Sequence, residues 1–357
     1  MDSKIFPPGI VPRYWRYLRV VLLAMGAFLF CHQEASASHF AGADLTYQCI
    51  GNNRYVITLS VYRDCEGIGL PTSERISAKS DSCGFTNLNY TLPRETFFEV
   101  SQLCPAALQQ SACNGGLLPG IEVHVYRDTI TLPQTCVDWI LSWSSCCRNG
   151  NITNLTNTGT MYVEAGLNSS LCNSSPTFTS NPTPYFCAGQ CYNYNHGAFD
   201  PDNDSLRYAL TCPLQGRNNC IPNSAGTSVA SPMILQPGTT FGFNTFTGQM
   251  SFCPIAGQRQ QAVAAVTVYQ VSNGDTIGFI QRDIQMIVLN SVNCTSPVNS
   301  GIPTVSAGGP FDTLTNSFVV CAGMSLIFDL CLFDPYCDSI RINLSNSNFD
   351  HEFGPNI

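Results

Sequence analysis

From residue 39 onward, apolar and polar positions alternate with a period of two. Tyr55, Ile57, Leu59 and Val61 fall on one face of the stretch Asn53–Tyr62, which predicts a half-buried strand, and Gly51-Asn52-Asn53 supplies the turn from a preceding strand over Leu45–Ile50. Ile121–Arg127 and Val137–Trp143 read the same way. Trp139, Leu141 and Trp143 share an otherwise apolar face, so both tryptophans belong to the core. Further along, Phe241–Phe252 predicts a hairpin turning at Thr247-Gly248. Gln261–Val271 and Thr276–Leu289 are joined by Ser272-Asn273-Gly274-Asp275, a tight hairpin because Asn-Gly accepts the positive φ such a turn requires. Val263–Val271 is apolar on both faces and predicts a central strand, while Ile284, Met286 and Val288 give its neighbour an inner face. No helix-period segment of useful length occurs outside the N-terminal leader. The expected class is all-β: tandem immunoglobulin-like or cadherin-like antiparallel β-sandwiches, stabilised by disulfides.

The stretch FDPDNDSLRYAL, Phe199–Leu210, returns as FDPYCDSIRINL, Phe333–Leu344, at an offset of 134 residues that also places Cys187, Ala188 and Gly189 on Cys321, Ala322 and Gly323. An echo of that length points to an array of similar domains. The exits Leu167–Pro176 and Leu289–Pro297 are also alike. Together they predict a leader over 1–37, a Cys-rich β domain over 38–172, a cadherin- or PKD-like sandwich over 173–294, and the start of a further, incomplete repeat over 295–357. Ser80–Gly120, rich in Gly, Pro and Asn, reads as an irregular crosslinked insertion.

Composition sharpens this. Lys4, Arg13, Arg16 and Arg19, then the apolar run Val20–Phe30, then Ala35-Ser36-Ala37 follow the order of a secretory signal. Cleavage after Ala37 removes Cys31 and takes the cysteines from 19 to 18, an even number that in an exported chain favours disulfides. Cys146 and Cys147, as strand neighbours facing opposite ways, are expected to take different partners. The net charge is -8; the leader carries four basic residues against Asp2 and Glu34, so the mature chain stands at -10, which argues against nucleic acid as a partner.

Asp200, Asp202 and Asp204 alternate within one acidic turn, and hard oxygen ligands at that spacing suit calcium; the competing reading has them capping a turn. Asp334 and Asp338 form the corresponding, poorer pair in the echo, and Asp283 is a further candidate ligand. An alternative chemistry is a copper site: cleavage after Ser38 would expose the amino group and imidazole of His39, with His124 or His196 as second imidazole, as in secreted oxidative carbohydrate-active enzymes. Against enzymes in general, the chain has no GxSxG, no HExxH and no glycine-rich phosphate loop.

The segments SHFAGADLTY leading into VITLSVYRDC, WILSWSSCCRNGNITNL, NHGAFDPDNDSLRYAL, FNTFTGQMSFCP and RDIQMIV, in this order, resemble the N-terminal region of very large Bacteroidetes cell-surface proteins. Those carry PKD-like and cadherin-like repeats and often end in a gliding-motility-associated C-terminal domain. The resemblance spans nearly all of the mature chain. It implies a secreted or outer-membrane-associated, adhesin-like array without enzymatic activity, anchored through a C-terminal part beyond this sequence and binding an extracellular polysaccharide or protein. In such an Asn- and Ser-rich bacterial chain, the eight Asn-x-Ser/Thr sequons follow from composition rather than glycosylation.

Overall fold

The structure is a computed structural model. It describes residues 39–290 apart from 102–107, 179–184 and 196, and beyond 290 only short strands between 298 and 333. Asp334, Asp338 and His196 therefore lie outside the described residues, as does the leader.

The chain is all-β, almost entirely antiparallel and disulfide-stabilised, as the alternation predicts. Ten strands organise it: β1 (Phe40–Cys49), β2 (Arg54–Asp64), β3 (Ser73–Ser80), β4 (Phe85–Glu99), β5 (Ile121–Thr131), β6 (Trp139–Cys146), β7 (Thr160–Leu167), β8 (Ser205–Thr211), β9 (Gln260–Ser272) and β10 (Asp275–Leu289). Their order in the sheet is β8-β9-β10-β1-β2-β5-β4-β3-β6-β7, continued by a short hairpin at Leu214–Cys220.

β10 pairs twice along the same edge. Gly278–Ile280 lie opposite Leu167–Ala165 of β7, and two residues later Arg282–Ile284 lie opposite Asp44–Gly42 of β1. The sheet thereby closes on itself through β10. Leu45, Ile57, Leu59, Trp139, Leu141, Trp143, Val163, Ile280, Ile284, Met286 and Val288 belong to one buried cluster. Both tryptophans are in the core, their indole N–H groups bonded to Gln134 O and Glu74 Oε2.

Three strands from beyond residue 172, β8, β9 and β10, thus share a sheet and a core with strands before it. The expected boundary at 172/173 does not separate two beads. Local pattern marks where a strand begins and ends, but not which distant edge it closes.

The Asn273-Gly274 turn is as expected: both residues have positive φ, 52° and 93°, and Ser272 faces Asp275. Two other expectations are corrected. Much of the Ser80–Gly120 insertion is β4, a 15-residue strand paired first with β3 and then with β5. Among its residues only Leu92 is buried, but Leu88 and Tyr90 share its face at period two and pack partly buried against the core, a short alternation set among Asn, Thr and Pro. Cys146 and Cys147 are bonded to each other across a cis peptide; Cys146 ends β6 and Cys147 lies outside it, so the opposite-face rule for strand neighbours does not reach the pair. Cys49–Cys172, Cys65–Cys113, Cys83–Cys136, Cys191–Cys253 and Cys212–Cys220 complete the described bridges. Each of these joins residues on the same side of residue 172.

Candidate functional site

The faces of β1, β2 and β5 that point away from the core carry polar side chains in cross-strand register. Asp44 lies opposite Ser60, Thr46 opposite Thr58, which in turn lies opposite Arg127, and Gln48 opposite Val56. These residues, with Tyr62, floor a cleft of about 430 Å³. Its wall is the segment Ser174–Phe178 together with Pro201, and Arg282 of β10 reaches in beside Asp44. A volume of this order lies within the range of about 300–1,000 Å³ usual for small-molecule sites.

The deepest charges are matched. Arg282 donates from Nε and Nη2 to Asp44 Oδ2 at 3.1 and 2.8 Å, and its guanidinium lies 3.6 Å from the centre of the Phe178 ring. Asp44 and Arg282 are 5% and 2% exposed, so the pair sits in a region where a lone charge would be costly. Burial, reinforced by the Asp44 carboxylate, pushes the Tyr62 phenol above its ordinary range and keeps it protonated.

The acidic turn that dominates the sequence builds the wall of this cleft. Asp200 Oδ1 accepts the backbone N–H groups of Asp202 and Asp204 at 2.9 and 3.2 Å, and Oδ2 accepts Gln270 Nε2 at 2.7 Å. Gln270 Nε2 also donates to Ser174 O, and Asp202 Oδ2 accepts the Ser174 N–H at 2.6 Å. Ser175 then docks on β1 like a short strand: its N–H donates to Tyr47 O, and its Oγ accepts the Tyr47 N–H. Beneath them the Tyr47 hydroxyl reaches Gly166 O at 2.9 Å and Gln270 Oε1 at 3.2 Å. Burial first, then the nearby Tyr55 and the three aspartates, drives the Tyr47 phenol far above its usual range, so it remains a donor. Gly278 makes room for this network: a Cβ there would come within 2.5 Å of the Tyr47 hydroxyl.

Of the residues expected to hold calcium, Asp200 caps the turn and Asp202 ties it to Ser174. Asp200 is buried and both its oxygens accept N–H groups; burial raises its carboxyl above the ordinary range although those hydrogen bonds pull it down. Asp204 lends the turn its backbone N–H. Among the described residues no group of three or more His, Cys, Asp or Glu is placed to hold a metal. Asp283 lies mid-strand in β10, 2.7 Å from Arg148 Nη2, well inside the fold. Asp200→Ala is expected to cost about 2–4 kcal/mol, because the Gln270 amide and two backbone N–H groups lose their acceptor in a buried place. A calcium chelator is expected to leave the melting temperature of the unsubstituted protein unchanged. A drop on chelation that vanishes in the Asp202→Ala variant would restore the calcium reading.

For the copper alternative, the structure engages both ring nitrogens of the buried His124. Nε2 lies 2.5 Å from Glu122 Oε1 and Nδ1 lies 3.2 Å from Arg94 Nη1. Since Arg only donates, Nδ1 is the acceptor and the proton sits on Nε2. The carbonyl of His39 accepts the Asp64 N–H, which places His39 at the start of β1.

Sequence reasoning missed the cleft itself. Its floor is made of outward polar residues, which in a strand read simply as the wet face. One signal was present: Gln281, Arg282, Asp283 and Gln285 interrupt an otherwise apolar strand and are all buried. No protein-family model matches this chain, and no curated protein matches it significantly.

Proposed function

We propose that this chain is a non-enzymatic, secreted or cell-surface module of an adhesin-like protein, and that it presents the β1-β2-β5 cleft as a binding surface. The observation that carries this reading is the cleft: polar side chains fixed by strand register, on a sheet braced by Cys49–Cys172 at the end of β1 and by Cys83–Cys136. A recognition surface benefits from such stiffness, because little ordering cost remains to be met on binding. Its deepest carboxylate, Asp44, is held in an ion pair, an arrangement suited to a fixed scaffold more than to proton transfer. The leader, the even cysteine count and the resemblance to large Bacteroidetes surface proteins support the same reading.

The test is mechanical. Beads coated with the mature protein are expected to be retained under flow on surfaces bearing extracellular polysaccharide or matrix protein, above beads coated with an inert protein. Equal wash-off of the two bead types would remove the adhesin reading.

A further inference from the structure

We infer that the cleft takes a neutral saccharide, contacted through Thr46, Thr58, Ser60, Gln48 and Arg127; this rests on the binding-module reading above and names its ligand class. Three features of the cleft lead there. First, its buried charges are already matched: Asp44 is bound to Arg282, and the exposed Arg127 at the rim stands 3.9 Å from Glu95, so an ion entering the cleft would find no uncompensated buried partner. Second, the floor lacks the broad apolar lining that a lipid or flat aromatic cofactor requires. Of the floor positions on β1, β2 and β5, Val56 is the one aliphatic side chain.

Third, the groups that remain both donate and accept. Thr58 and Ser60 hydroxyls and the Gln48 amide can each do either, the Thr46 hydroxyl, which donates at 3.4 Å to Thr58 O, keeps its lone pairs, and register sets them in rows across adjacent strands, with Arg127 as a pure donor at the rim. Neighbouring strands lie about 4.8 Å apart and same-face residues about 6.8 Å apart along a strand. This grid of amphoteric groups fits a ligand whose own hydroxyls both donate and accept at a spacing of a few ångströms, as the ring hydroxyls of a pyranoside do. A peptide would instead offer backbone groups to a strand edge, and along the cleft β2 is flanked by β1 and β5 while the outer edge of β1 is taken at Tyr47 by Ser175.

The experiment measures binding of the full mature protein to immobilised neutral hexose and N-acetylhexosamine oligosaccharides, with hexuronate oligosaccharides and matrix-protein surfaces as comparison arms. Thr58→Val, Gln48→Ala and Arg127→Gln change side chains on the outward face without touching the core, and Thr86→Val, at an exposed position of β4, serves as control. Binding of a neutral oligosaccharide is expected, with about a five- to tenfold loss for each cleft variant, none for Thr86→Val, and little change between low and high salt. Neutral saccharide binding that the cleft variants leave intact would overturn the assignment to this site while leaving the adhesin reading in place. No saccharide binding up to about 10 mM, the weak end of specific affinity, alongside bead retention on protein surfaces would overturn the ligand class alone. Binding confined to hexuronates and abolished by salt would overturn neutrality of the ligand.

Discussion

Residues 38–172 produced alone are expected to remain unfolded, with no cooperative urea transition and collapsed amide dispersion. The stretch has signals of a complete domain, yet in the folded chain both its terminal strands depend on β10. Without Gly278–Ile280 and Arg282–Ile284, β7 and β1 become open edges. Two buried charges also lose their partners: Asp44 its Arg282, and Arg148 its Asp283. Leaving even one such charge uncompensated costs about 3–5 kcal/mol, a large part of a typical folding free energy. A sigmoidal melt and dispersed spectrum from 38–172 would show that the ring is dispensable and the bead boundary real.

In the intact protein, Arg148→Ala is expected to be among the most damaging single substitutions, at about 3–5 kcal/mol and a fall in melting temperature on the order of 10 °C. Arg148 is 1% exposed and binds three elements at once: Asp283 of β10, the Leu214 carbonyl at 2.8 Å, and the Thr160 carbonyl of β7. Burial already raises the Asp283 carboxyl, and Arg148 is what opposes it. In the variant that opposition is gone. The sign follows: a folded-state value above the unfolded one favours the folded form at low pH and penalises it as pH rises through the carboxylate range. The variant's deficit is therefore expected to shrink on acidification, read as the gap between its thermal melts and those of the unsubstituted protein at about pH 4, near the ordinary carboxylate value, and about pH 7, well above it. The paired replacement Arg148→Met with Asp283→Leu should lose less than the single one, since it leaves no orphaned charge. A single variant that melts within a degree or two of the parent at every pH would mean the pair contributes nothing.

How far the sequence reaches depends on the range of the signal. The Asn273-Gly274 hairpin, the paired tryptophans and the two-sided apolar run of β9 were legible because each is encoded within a dozen residues. β4 was not, because its alternation of Leu88, Tyr90 and Leu92 is short and lies among Asn, Thr and Pro that read as a loop. Ring closure was not, because nothing in Gly278–Ile284 names β7 and β1 as neighbours. The acidic turn offered two readings, calcium binding and turn capping, and its hydrogen bonds are those of the capping reading. Spacing tells which carboxylates are near each other, but not that Asp200 points inward to Gln270 and Asp202 across to Ser174. The cleft depends on that inward turn: the same oxygens that suggested a metal hold the Ser174–Phe178 wall against β1.

The closing strand is synthesised after both of the margins it joins. Until residue 289 has been made, β1 and β7 have no partner on that side, and each of the two registers ties together residues far apart along the chain. Pairing at such long sequence separation is slow to form, so the joining of the two margins is expected to be a late step of folding.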